Sequence, residues 1–206
     1  MPRATFYFDV GSPYAYLTAE RIGTLPEPVD WQPVSLGALF KRTGRSSWAV
    51  GDPRRREAGM AEVERRARGY GLPPIHWPEA WPSHYLAAMR AATFAFGAGR
   101  GREFTLQAFR DAFQRGRDLS ALASVLDAAE SAGLDRREVE LAIEDPQVKL
   151  ALRQATDAAG DLGVFGVPTI AVDGEAFWGD DRLEEACSHL ERLRSAEPSG
   201  PAGSTG

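Results

Sequence analysis

One hydroxyl in this sequence stands where it can act on an anion. Gly11-Ser12-Pro13-Tyr14 follows an aromatic and β-branched run, Thr5-Phe6-Tyr7-Phe8, and precedes residues that tolerate a helix. Serine is a preferred helix cap and proline a preferred first helical residue, so the pattern predicts a strand that turns at once into a helix. Such a turn directs the Ser12 hydroxyl and free backbone N–H groups at whatever lies above it. The helix N-terminus carries a partial positive charge, which favours an anion there, a thiolate in particular. On the turn alone, the plainer reading of Ser12 as a helix cap stays open.

The other reactive side chains exclude more than they suggest. Cys187 is the single cysteine, so no intramolecular disulfide forms and no dithiol cycle runs. It fits a reducing cytoplasm and, within a helical pattern, a small core residue. His76 and His189 have no partners at metal-ligand spacing and read as surface or structural, and no metal is expected. Gly11-Ser12-Pro13 is no phosphate loop, because no lysine follows at the required spacing. Net charge is −5, which argues against nucleic-acid or anionic-membrane partners. Residues 41–70 nevertheless hold nine Lys or Arg against four Asp or Glu. Arg54-Arg55-Arg56 and Arg65-Arg66 within them read as a solvated helix face. No apolar run reaches the roughly 18 residues of a membrane span, and Asp9 interrupts the one apolar run near the N-terminus, so no signal peptide is expected.

The elements that must position Ser12 fall into three blocks. Residues 4–10 and 29–34 read as strands joined by a helix that runs to about Thr24. From about 37 to 162 strand signals vanish and helical periodicity takes over. Asp52-Pro53 opens a helix to Gly69, and Leu86, Met89 and Thr93 mark the next. Leu106, Phe109 and Phe113 share a face, as do Leu119, Leu122, Val125, Leu126 and Ala129. Asp135 with Glu138 resembles a capping box, and Asp145-Pro146 opens a last helix of this block. Strands return at 168–173 and 175–178 around the hairpin signal Asp173-Gly174, and a final amphipathic helix follows. The division is therefore 1–36 with 163–195 as one discontinuous domain, 37–162 as a helical insertion, and 196–206 as a disordered tail.

Strand–helix–strand, helical insertion, hairpin–helix is an α/β order that resembles the DsbA-like branch of the thioredoxin fold, a thioredoxin-like sheet with a large all-helical insertion. In that fold a Cys-Pro-x-Cys motif usually occupies the turn where this chain has Ser12-Pro13-Tyr14-Ala15. Three blocks sharpen the likeness. Phe6-Tyr7-Phe8-Asp9-Val10-Gly11-Ser12-Pro13-Tyr14, Gly163-Val164-Phe165-Gly166-Val167-Pro168-Thr169 and Phe177-Trp178-Gly179-Asp180-Asp181-Arg182-Leu183 resemble the 2-hydroxychromene-2-carboxylate isomerases and kappa-class glutathione transferases.

The resemblance implies glutathione, or another low-molecular-weight thiol, as cofactor and a small aromatic or conjugated acid as substrate. It implies that Ser12 is catalytic and holds the cofactor sulfur as a thiolate, with Pro13 and Tyr14 beside it. Pro168 is expected to follow a cis bond, with Val167 pairing to the cysteinyl part of the tripeptide. Asp180 and Asp181 would meet the γ-glutamyl end, against a plain reading of either as a helix cap. Isomerisation by reversible thiolate addition, transfer of the thiol to an electrophile, and a non-catalytic binding module lacking the dithiol are the three functions this leaves. A homodimer is also implied by the resemblance. Two positions depart from the family pattern on the substrate side: Arg45, in Gly44-Arg45-Ser46, replaces an expected Asn, and His84, in Pro82-Ser83-His84, replaces another.

Overall fold

Alternation along the first strand decides how the layers pack. β1 (Ala4–Phe8) sends Phe6 and Phe8 into one apolar cluster and Tyr7 into another on the opposite side of the sheet. Phe6 stands edge-on to Trp31 of β2 (Val29–Pro33), with ring centroids 5.0 Å apart. Each such fully buried aromatic contributes about 2–3 kcal/mol. The computed structural model describes residues 3–26 and 28–196.

β1 pairs in parallel with β2 and antiparallel with β3 (Thr169–Val172), which pairs antiparallel with β4 (Glu175–Trp178). The strand order is β2-β1-β3-β4. The parallel pair needs a crossover, and α1 (Pro13–Arg21) with a short 3₁₀ turn, Ile22–Thr24, supplies it. Every residue from 34 to 168 is described, and none lies in a strand. This is the DsbA-like thioredoxin arrangement, a four-stranded mixed sheet interrupted by helices.

Those helices are α2 (Leu36–Thr43), α3 (Pro53–Gly69), α4 (Leu86–Gly97), α5 (Gly101–Arg115), α6 (Leu122–Ser131), α7 (Arg136–Glu144) and α8 (Pro146–Asp161). Asp52, Asp135 and Asp145 cap α3, α7 and α8 by accepting backbone N–H groups, as their sequence positions predict. Phe109 and Phe113 of α5 share the cluster of Phe6, Phe8 and Trp31, so α5 closes over one face of the sheet. α2 and α8 cover the other through Leu39 and Ala159.

The strands stop short of their expected ends for local reasons. β1 ends at Phe8 because Asp9 begins the turn to α1, with the Ser12 N–H donating to its carbonyl at 3.0 Å. β3 begins at Thr169, since Pro168 has no N–H for the ladder. α9 (Leu183–Ala196) closes the described chain, so Ala196 is helical. The rest of the expected disordered tail, 197–206, lies outside the described residues. Among those residues no helix is long and apolar enough to cross a membrane.

Candidate active site

The turn that carries Ser12 is built by a buried carboxylate. Asp9 accepts the Gly11 N–H on one oxygen and the Leu36 N–H on the other, both at 2.9 Å. It therefore ties the start of α1 to the start of α2. Burial pushes the Asp9 carboxyl up to about 6, against the two N–H groups that pull it down. Ser12 takes extended backbone angles and its Oγ accepts the Ala15 N–H at 3.2 Å, the expected cap.

The same hydroxyl donates to the Val167 carbonyl at 3.4 Å, although the two residues are far apart in the chain. The Val167–Pro168 bond is cis, as expected from the sequence, and so is Trp81–Pro82. The Pro168 carbonyl accepts the Gly179 N–H at 3.0 Å, which brings the start of the last helical segment alongside. Gly179 sits at φ +116°, a conformation that side-chain-bearing residues rarely adopt.

Asp180 and Asp181 follow in a 3₁₀ turn, Asp180–Arg182, whose N-cap position belongs to Gly179 with no side-chain capping bond. Asp180 is therefore no plain cap. Its side chain is buried, and its oxygens accept Arg66 Nη1 at 2.7 Å and the Tyr70 hydroxyl at 2.9 Å. Burial pushes its carboxyl up, and Arg66 and Tyr70 work against that. Asp181 stays mostly exposed, 3.5 Å from Arg66. Arg66 thus corrects its sequence reading as a solvated residue: α3 turns it inward while Arg54, Arg55 and Arg65 remain exposed.

Between these walls lies a cleft of about 760 Å³, within the range of small-molecule sites. Ser12, Pro13, Tyr14, Val167, Pro168, Asp180 and Asp181 all line it, so the structure brings together the residues that the sequence singled out. The half beyond Ser12 is aromatic. Trp48 lies 6.0 Å from Tyr14 and 5.4 Å from Trp81, centroid to centroid. The Trp81 indole donates to the Gly11 carbonyl at 3.1 Å. Tyr85 packs on Gly11 so closely that a Cβ there would overlap its ring.

His84 lines the same half, whereas the Arg45 guanidinium lies 4.0 Å above the Phe165 ring. Sequence reasoning missed Asp9, Arg66, Trp48, Trp81 and Tyr85. Asp9 alone had a signal, a carboxylate closing an apolar run just before the turn. Cys187 is half-buried rather than part of the core, with its Sγ 3.3 Å from the Thr24 carbonyl. His189 packs beside Phe177, ring centroids 5.6 Å apart.

A family model described as a DSBA-like thioredoxin domain matches residues 4–191. The 2-hydroxychromene-2-carboxylate isomerase of Sphingobium xenophagum is 28% identical over 195 residues, covering 90% of this chain and 96% of its own length. Glutathione S-transferase kappa 1 of Homo sapiens is 28% identical over 221 residues, covering 98% and 96%. A solved structure of a 2-hydroxychromene-2-carboxylate isomerase superposes with a TM-score of 0.83 at 22% identity, covering 97% of this chain and all of that one, a likeness of fold.

Proposed function

The chain belongs to the DSBA-like thioredoxin domain family, and on that premise we propose that it is a glutathione-dependent isomerase of the 2-hydroxychromene-2-carboxylate isomerase type. Its substrate is an aromatic or conjugated acid. The observation that carries this reading is Ser12: a hydroxyl at the N-terminus of α1, facing Val167 across a cleft that holds no cysteine.

The residues present fit a thiol-bearing peptide. Ser12 and the α1 N–H groups favour an ionised sulfur. The Val167–Pro168 backbone offers strand-like pairing to the cysteinyl part. Arg66 and Tyr70 occupy the Asp180 carboxylate, so the ammonium of a γ-glutamyl end falls to Asp181 and its carboxylate to the N–H groups of the 3₁₀ turn. Glutathione, or another low-molecular-weight thiol, supplies a thiolate that adds reversibly to the conjugated double bond and leaves it rotatable. Ser12 turns its proton from Val167 to the sulfur; its present bond, at 3.4 Å, is long and weak, so the exchange costs little. Trp48, half-buried in the cleft wall with Trp81 packed behind it, offers an aromatic ring a surface that fixes its orientation.

Equal identity to the human kappa transferase favours one second reading, in which the thiol stays joined to an electrophile. Thermal-shift measurement with glutathione and other biological thiols, followed by absorbance and free-thiol assays with conjugated aromatic acids, separates the readings. An isomerase changes the absorbance without consuming thiol, and a transferase consumes it. Absence of binding by every thiol at millimolar concentration would leave a non-catalytic module.

A further inference from the structure

Tyr85 is oddly placed for a residue with only a packing role. It occupies the N-cap position of α4 without making a capping bond, and tyrosine is a poor choice there. Its ring is held against Gly11, one residue before Ser12, while Trp81 anchors the carbonyl of that same glycine. The hydroxyl accepts the Ser83 N–H at 3.2 Å, and among the described residues nothing accepts its own proton. Burial pushes the phenol well above its ordinary range, helped by Asp118 and Asp9, so the proton stays on Tyr85 at neutral pH. A cleft-lining, half-buried phenol with an uncommitted proton is a hydrogen-bond donor awaiting an acceptor.

We propose that Tyr85 forms an oxyanion subsite beside Ser12, donating its hydroxyl proton in a hydrogen bond to the carbonyl oxygen of a conjugated ketone. This rests on the thiol chemistry proposed above and adds to it one positioning residue for the substrate oxygen. As sulfur bonds to the far carbon, the π pair of the double bond moves toward that oxygen. The pair returns when sulfur leaves. The phenol proton is shared and never transferred, so nothing is consumed. Donors aimed at an oxygen where charge develops stabilise it most when they are already held in place, and the packing of Tyr85 on Gly11 holds this one.

The test compares the wild-type chain with Tyr85→Phe, which keeps the ring on Gly11. Infrared spectroscopy of benzylideneacetone with an isotope-labelled carbonyl, bound without any thiol, reads the hydrogen bond directly. The carbonyl band is expected at lower wavenumber in the wild type than in Tyr85→Phe, at similar unfolding midpoints. With glutathione, kcat for isomerisation of conjugated ketones is expected to fall about 100-fold in Tyr85→Phe while glutathione affinity is unchanged. A band that is the same in both proteins, or an enone that does not bind, overturns the subsite. Equal kcat in both also overturns it and leaves the isomerase reading standing. A shifted band without turnover supports the subsite and removes that reading instead.

Discussion

The Ser12 hydroxyl donates to the Val167 carbonyl at 3.4 Å, joining residues 155 positions apart, while its oxygen accepts the Ala15 N–H at 3.2 Å. One side chain thus caps α1 and faces the opposite wall of the cleft. The two duties separate in Ser12→Ala. Loss of the cap lowers stability by about 1 kcal/mol. Loss of a charge-assisted bond raises the bound thiol pKa by about 1–2 units. Ultraviolet titration of the thiolate in the complex reads the second effect, and thermal unfolding of the free protein reads the first. A lower midpoint with an unmoved thiol pKa would make Ser12 a cap and nothing more.

Asp9 makes stability depend on pH in the sense opposite to a salt-bridged carboxylate. Its folded carboxyl titrates at about 6 against an ordinary 3.8, because burial outweighs its two N–H partners. The folded state therefore holds this proton more tightly than the unfolded chain. The stabilisation is complete below the unfolded value and lost as pH rises through the folded one. Across that window the loss amounts to about 3 kcal/mol. Asp9→Asn removes this contribution, so the difference in unfolding free energy between the two proteins should change between pH 4 and pH 7. A constant difference would show that Asp9 titrates normally.

Arg66 stabilises the fold through Asp180. The carboxylate is buried at 1% exposure, and removing its cation leaves Tyr70 as its side-chain partner. Arg66→Met should cost about 3 kcal/mol in denaturant unfolding. Arg66→Met with Asp180→Asn should recover most of that loss, because the uncompensated charge is gone. Additive losses in the double variant would mean that the pair is not coupled.

Much of the frame was legible because its signals are local. Ser12-Pro13 starts a helix through a capping bond three residues long, and Asp52-Pro53 and Asp145-Pro146 do so through bonds two residues long. Phe6, Tyr7 and Phe8 alternate within one strand, which is enough to divide them between the two faces of the sheet. Strand ends were less legible. Nothing in Val10 itself announces that Asp9 has already left the ladder to hold two amides.

The sequence by itself determined the order of elements and the turn that presents Ser12, since each depends on neighbours a few positions away. Only the tertiary structure decided what surrounds them. Of the arginines on α3, Arg66 turns inward because Val63 and Ala67 bury the adjacent face, and that rotation depends on the packing of the whole helix. Its bond to Asp180 spans 114 positions, and Trp81 and Tyr85 reach Gly11 across about 70. Periodicity reports which face of an element is apolar, but not which side chain of a distant element it will meet, and the cleft is made of such meetings.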